Sequence, residues 1–471
     1  MKKQAALWLD FEEITEGANF FSYGIGARTY GAIWPDRRPQ PEMWQIKKSA
    51  QPVTVRLISA GKGEVEITNR CLFTNLNGLQ IKWILQGDGE IISKGDLQIS
   101  LEPQKKAVIT IPFKKPELKE GVEYRLLVSF HQKGKTLWAE PGFEIAWDQM
   151  ELPWFKPVQE VSKIPLSILT LKEEKDKLVI SGKGFAYVFE RKTGTLISMQ
   201  FNGKEIIKKG PELNVWRAPL ANETDEWGYY ASNSRHKTNG YGLMPATEWY
   251  SAGLDKLQLI NEMFNTKVID DKNIVVEVKN VMLLGTGNGA FLNHYKYHID
   301  SNGEITIDNS VVSDGDMPTW LPRIGMDWIL DKSLGNVQWY GRGQQENYPD
   351  RKTGYKTGIY KSTVTDMYEP YLIPQDYGLR CDNRWVKITD GNGIGLEFSG
   401  DKLFNFSAQP YSTENLTKAL YTYQLRPFDG ITFNLDYATS GVGCTALSVF
   451  TRYQVMPQRY DFRVTVRPIT P

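Results

Sequence analysis

Apolar and polar residues alternate with period two along much of this chain. Val53, Val55 and Leu57 are separated by polar positions, Gly61-Lys62-Gly63 intervenes, and Val65 and Ile67 resume the alternation. That is the pattern of two strands joined by a turn. Ile81, Trp83 and Leu85 repeat it, with Gly87-Asp88-Gly89 as the turn, and Val108, Ile109 and Ile111 lead to Pro112. Tyr124, Leu126, Val128 and Phe130 continue with the same period. From about Trp147 to Pro165 the pattern lapses and Pro153, Pro157 and Pro165 interrupt the chain. Proline disfavours a central strand, so this stretch, residues 149–164, is predicted as a connector. Beyond it Leu178, Ile180, Phe185, Tyr187 and Phe189 fall in strand-like runs, with turns at Lys192-Thr193-Gly194 and Asn202-Gly203. The pattern persists through Ile305 and Ile307, Trp385-Val386-Lys387-Ile388, and Ile431, Phe433 and Leu435, to Phe462, Val464 and Val466. One helix is predicted in this region, Ser412 to Leu420, with Ser412 as its N-cap.

The chain is therefore expected to be mainly β. Strands at this spacing over residues 49–148 predict a small sandwich of immunoglobulin type. Residues 165–471 carry strands without a long helical pattern, which predicts one large antiparallel sandwich rather than α/β units. Residues 1–48 fit neither sandwich, and Pro41 to Lys48 reads as a helix with proline in its first turn.

Composition narrows the function classes. The chain has 471 residues, room for roughly three domains. Its 56 basic and 55 acidic residues give a net charge of +1, which leaves no electrostatic footprint for nucleic acid or an anionic membrane. Cys71, Cys381 and Cys444 form neither a disulfide framework nor a zinc spacing. Met1-Lys2-Lys3 opens like a signal peptide, but Asp10, Glu12 and Glu13 arrive before an apolar region can form, so no export signal is expected. No apolar run reaches the ~20 residues of a membrane span. Cysteine usage leaves the compartment open, and without a signal peptide the chain as it stands is expected to be cytoplasmic. Aromatic residues make up 12% of the chain. They serve sugar stacking and β-sandwich cores alike, and the core role is the default for any single one.

Six segments, in order, resemble the family 2 β-galactosidases. Gly341-Arg342-Gly343-Gln344-Gln345-Glu346-Asn347-Tyr348-Pro349-Asp350-Arg351 is similar to the Glu-Asn-Tyr-Pro-Asp-Arg signature of that family's C-terminal sandwich. Met367-Tyr368-Glu369-Pro370-Tyr371 and Pro374-Gln375-Asp376-Tyr377-Gly378-Leu379-Arg380 follow at the family's spacing. Val215-Trp216-Arg217-Ala218-Pro219-Leu220-Ala221-Asn222 resembles its Trp-Arg-Ala-Pro motif. Phe406-Ser407, Tyr411-Ser412 and Leu416 resemble a later run, and Trp34-Pro35-Asp36-Arg37-Arg38-Pro39-Gln40-Pro41 resembles the exit from the catalytic barrel. The resemblance implies that residues 1–48 are the end of a (β/α)8 barrel, 49–148 the immunoglobulin-like domain, and 165–471 the terminal, galactose-mutarotase-like super-sandwich.

The reaction the family performs needs two carboxyl groups about 5–5.5 Å apart, one protonating the leaving oxygen and one attacking the anomeric carbon. The resemblance places both on barrel strands that precede this region, together with the magnesium ligands. No catalytic residue, metal site or cofactor is expected within this chain. Asn222-Glu223 is an Asn-Glu pair, but it adjoins the Trp-Arg-Ala-Pro motif, and Glu223 reads as structural. Glu12 and Glu13 read as solvated or ion-paired. Trp8 would sit at the end of the eighth barrel strand, where the family's tryptophan stacks under galactose. A plain core role for Trp8 stays open. His294 and His298 share one face of a predicted strand with no acidic cluster expected nearby, and read as surface histidines. Two departures touch the site. Ala27-Arg28-Thr29-Tyr30-Gly31 stands where the family has a sodium-site segment, and Gly441-Val442-Gly443 continues as Cys444-Thr445-Ala446-Leu447 without the family's tryptophan.

Three functions remain: a β-galactosidase fragment inactive alone, a small subunit completing a separately encoded barrel, and a stand-alone carbohydrate-binding sandwich. Partners implied are a β-galactoside bound through the barrel, a barrel-bearing chain, and a second copy in a homo-oligomer. Leu7, Trp8, Phe20, Phe21 and Tyr23 argue against the third function, because an incomplete barrel leaves them exposed as an interface.

Overall fold

A computed structural model describes residues 32–158, 168–220, 223, 245–419, 421–443 and 449–470. The chain divides into two compact units. Trp8, Glu12, Glu13, the other barrel-remnant aromatics, Ala27–Gly31, Asn222, Cys444 and Leu420 lie outside the described residues.

The smaller unit comprises residues 39–158 together with Thr353–Ile359. It opens with helix α1 (Pro41–Ala50), whose proline sits in the first turn and whose last turn carries Lys47 and Lys48. Seven strands follow. β1 (Val53–Ser59), β2 (Glu64–Asn69) and β5 (Lys106–Thr110) form one sheet. β3 (Leu79–Gly87), β4 (Glu90–Leu97), β6 (Tyr124–Gln132) and β7 (Glu144–Glu151) form the other, in the order β4-β3-β6-β7. This is an immunoglobulin-like sandwich in which the fourth strand pairs with the third rather than with the fifth. The alternating residues read from the sequence, among them Val53, Val65, Ile67, Ile81, Leu85, Leu126, Val128 and Phe130, are its core. Asp88 and Gly89 both have positive φ (47° and 83°) and join β3 to β4 in a two-residue loop, as a type I′ turn requires.

Three features of this unit are not marked by the alternation of apolar and polar residues. The helix at Pro41 continues to Ala50 and clusters with the sandwich unit. β7 runs to Glu151, and Leu152 and Trp154 are buried in the same core. The prolines there do not conflict with this, since Pro153 follows the last strand. Finally, Thr353–Ile359 joins the unit from two hundred residues downstream, which no local pattern announces.

The larger unit holds two antiparallel sheets around one core. β8 (Thr170–Glu173), β9 (Lys177–Gly182), β10 (Phe185–Glu190), β11 (Leu196–Phe201) and β12 (Lys204–Glu205) form a five-stranded sheet. Asn202 and Gly203, at φ 50° and 80°, make the two-residue turn between β11 and β12. The second sheet has twelve strands: β13 (Ile207–Asn214), β14 (Gln258–Asp270), β15 (Asn273–Leu283), β16 (Gly289–Asp300), β17 (Ile305–Gly315), β18 (Arg323–Leu330), β19 (Asn336–Arg342), β20 (Thr357–Thr363, whose first three residues cluster with the smaller unit), β21 (Arg380–Thr389), β22 (Gly395–Gln409), β23 (Ile431–Thr439) and β24 (Tyr460–Ile469). Its main path runs β13-β18-β23-β22-β24-β17-β16-β15-β14. β22 is long enough to serve two partners on one side, pairing with β24 through Gly395–Gly400 and with β23 through Asn405–Gln409. The two sheets meet through Phe189 against Tyr297, 5.2 Å between ring centroids, and through the Tyr187 hydroxyl donating to the Gly303 carbonyl.

Helix α2 (Pro245–Ala252) has no counterpart among the predicted elements. It buries Trp249, whose Nε1 donates to the Trp320 carbonyl at 2.8 Å. Helix α3 (Thr413–Lys418) is the one predicted from Ser412, whose hydroxyl accepts the Asn415 N–H at 3.1 Å.

Candidate functional site

β13, β18, β23 and β22 lie side by side in the larger unit, and their register aligns three rows of residues. Leu213, Met326, Leu435 and Phe406 face each other across the strands and enter the apolar core. The flanking rows point to the opposite face and are polar. One is Glu212, Asp327, Asn434 and Ser407; the other is Asn214, Gly325, Asp436 and Asn405. Period two puts apolar residues on one face and polar ones on the other, as on any half-solvated sheet. Here the second face is covered as well: Asn214, Asn405, Ser407, Asn434 and Asp436 are all buried.

The buried polar floor is cross-linked. Asn214 Nδ2 donates to Asn434 Oδ1 at 2.9 Å, and Asn434 Nδ2 to Ser407 Oγ at 3.0 Å. Arg323, 1% exposed, pairs with Asp376 at 2.8 Å and lies 3.6 Å from Asp436. Burial raises the Asp436 carboxyl to about 6, even though Arg323 beside it favours the charged form.

The segments that resemble the β-galactosidases form the roof. Glu346, 1% exposed, accepts from Arg351, from the Tyr371 hydroxyl at 2.6 Å and from the Gly378 N–H at 2.6 Å. Asn347 accepts the Cys381 N–H at 3.0 Å, and its own N–H donates to the Leu379 carbonyl at 2.9 Å. Tyr348 donates to Asp376 at 3.1 Å, which joins the roof to the floor through Arg323. Asp350 accepts the Val442 and Gly443 N–H groups at 3.1 and 2.8 Å. A Cβ on Gly441 would come within 2.5 Å of the Asp350 carboxyl, so only glycine lets that backbone approach. Trp34, 5% exposed, packs edge-on against Tyr371 at 5.7 Å, which ties the first described residues to the Glu346 loop.

The residues singled out from the sequence fall as follows. Glu223 is buried, 2.5 Å from Arg217, and accepts the Leu220 N–H at 2.8 Å, so it holds a loop rather than facing an open cleft. His294 and His298 each meet one carboxylate that the sequence reading did not place: Glu277 at 2.7 Å and Asp308 at 3.1 Å. Those partners sit on neighbouring strands and become adjacent only through register. Cys381 is buried beside Asn347, and burial pushes its thiol well up. Among the described residues no three His, Cys, Asp or Glu side chains converge as metal ligands do.

Glu223, Glu346, Asp376 and Asp436 are each engaged by a guanidinium, a hydroxyl or a backbone N–H. The roof residues stand out in the sequence by their motifs, whereas Arg323, Asn405, Asn434 and Asp436 do not. The available signal was amides and charges alternating with Phe406 and Leu435 in strands that otherwise look like core.

Comparison with known proteins places this framework. Residues 181–466 match the family described as "Beta galactosidase small chain", and residues 65–153 match "Beta-galactosidase, domain 4". A β-galactosidase of Priestia megaterium is 29% identical over 92% of this chain, and one of Psychromonas ingrahamii is 27% identical over 91%. The chain spans only 39% and 41% of the length of those relatives. Galactose 1-epimerase from Lactobacillus acidophilus NCFM covers 64% of the chain at 11% identity and a TM-score of 0.34, a likeness too slight to bear on function. The ordered roof motifs, the large antiparallel sandwich beneath them and a family match over most of that sandwich agree, and the chain belongs to the β-galactosidase small-chain family.

Proposed function

We propose that this chain is the part of a β-galactosidase that follows the catalytic barrel, and that it does not cleave galactosides by itself. The observation that carries this reading is the partial coverage: 92% of the chain aligns with a relative of which it spans 39%. The engagement of each buried carboxylate in the motif network supports it. In the assembled enzyme the substrate is a terminal β-D-galactoside, and both reacting carboxylates and the magnesium ligands come from the barrel. The family resemblance makes Trp8 the residue of this chain proposed to contact the sugar, from beneath its ring, once the barrel is complete.

The test is direct. Purified chain given p-nitrophenyl β-D-galactoside should release no nitrophenol above the blank; turnover at an enzyme-like rate would overturn the reading. Because this reading puts the metal ligands in the barrel, chelator should leave the chain's melting temperature unchanged; a drop of several degrees would point to a metal on this chain.

The family description "small chain" favours one refinement, a subunit that completes a separately encoded barrel. Co-expression with a barrel-bearing chain from the same genome should then restore hydrolysis. In that complex Trp8→Ala should weaken substrate binding while leaving co-purification intact. Failure of both co-purification and activity counts against the subunit reading.

A further inference from the structure

Thr353–Ile359 packs in the smaller unit, while the residues on either side of it belong to the larger one. Both flanks are pinned within the larger unit. Lys352 pairs with Asp382 at 2.7 Å, as does Arg342 at 2.6 Å, and Asp382 holds a left-handed backbone (φ 57°) to do so. Tyr360 stacks on Trp339 with ring centroids 5.6 Å apart.

Within the smaller unit the segment meets a socket that reads its backbone. The Gln45 side chain, on α1, accepts the Gly354 N–H at 2.8 Å and donates to the Thr353 hydroxyl at 2.8 Å. The Gln149 side chain, on β7, accepts the Thr357 N–H and donates to the Thr357 carbonyl, both at 2.8 Å. A side-chain amide bonded to both groups of one residue takes the place of a neighbouring strand. Tyr355 is 3% exposed and donates to the Pro41 carbonyl at 2.5 Å. Lys356 pairs with Glu144 at 2.6 Å and lies over the Trp147 ring at 5.1 Å. A Cβ on Gly354 would meet the Gln45 and Trp44 backbone at 2.8 Å, so the close approach needs glycine.

We propose that α1 and β7 form a socket for an extended peptide, that Thr353–Ile359 is its occupant, and that the small sandwich is stably folded only with that segment docked. The segment covers the second face of the β3-β6-β7 sheet, where Trp147 and Gln149 point. Bare, that face would present half-buried aromatic and amide groups to water. The dependence is one-way: the larger unit lends the segment and has its own core without it.

Hydrogen exchange on the full-length chain tests this, with trypsin sensitivity after Lys356 as a second readout. In Q45A/Q149A, amides of β6 and β7 should exchange at least tenfold faster and Lys356 should become cleavable, while β18 and β23 keep their protection. Gly354→Ala should act in the same direction; if it fails to fold, the double variant alone decides. Unchanged exchange in β6 and β7 would overturn the proposal. A uniform rise across both units would overturn it equally, because the segment would then be one contact in a single cooperative body.

Discussion

Glu346 takes donors from three separate places in the sequence, Arg351, Tyr371 and Gly378, inside a region closed to water. A buried charge is tolerated only when its partners are present, and removing one partner costs more than the pair contributed. Glu346→Gln should therefore destabilise the larger unit by about 3 kcal/mol or more. Tyr371→Phe, which deletes one hydrogen bond, should cost about 1 kcal/mol. Urea midpoints of the two variants check the ordering. Asp436 makes a pH argument. Its carboxyl is raised from the ordinary 3.8 to about 6, so the folded state holds the proton more tightly than the unfolded one. That contribution is complete below about pH 4 and is lost as pH rises through about 6. Asp436→Asn mimics the protonated acid, so its melting temperature relative to the parent should climb between pH 4.5 and pH 7. A flat difference across that range would mean that Asp436 ionises freely in the fold. Carboxylates held low by partners, such as Asp382 between Lys352 and Arg342, act in the opposite sense, which is why the difference between the two proteins is the quantity to follow.

At the scale of elements, the turns and the close strand contacts carry different penalties. Gly203 sits at φ 80° in a two-residue turn on the surface, with open space where a Cβ would be. Gly203→Ala should cost about 1 kcal/mol, the conformational term alone. Gly325 on β18 has no such space: a Cβ would meet the Leu435 carbonyl oxygen at 2.3 Å and Asp436 Cα at 2.5 Å. Gly325→Ala should cost nearer 3 kcal/mol and loosen the β18–β23 pairing. Thermal melts of the two variants, with exchange rates on β23, separate the cases. Strands and tight turns were legible because period-two alternation and Asp-Gly or Asn-Gly pairs are local signals. Helix α2 was not, because eight residues with three buried positions make too short a pattern to stand out from the strands around it. The extra residues of β7 were hidden by the prolines that follow them.

For the molecule as a whole, the two cores are separate clusters, and the peptide socket makes their stabilities unequal partners. If the larger unit supplies Thr353–Ile359 to the smaller, the smaller unit cannot outlast it on heating. Phe130→Ala, a deletion in the small core, should lower the small unit's transition by about 3–5 kcal/mol and leave the larger unit's unchanged. Gly325→Ala should lower both. Near-ultraviolet signals of Trp147 and of the buried Trp328 report the two units; a small-unit signal persisting after the large one is lost would reverse the order of dependence.

The sequence by itself determined the class of the fold, most strand positions, the two hairpin turns and the family, because each is written in neighbouring residues or in motifs read in order. The residues of the roof were legible for the same reason. Their meaning was not. That Glu346 meets Tyr371, that Tyr348 reaches Arg323 through Asp376, and that Asn214, Asn434 and Ser407 line up on one covered face are consequences of register between strands far apart in the chain. Alternation says which residues share a face, but whether water or a loop covers that face depends on what folds over it. Only the tertiary structure decided that this polar face is buried, and that seven residues from the middle of the large sandwich complete the small one.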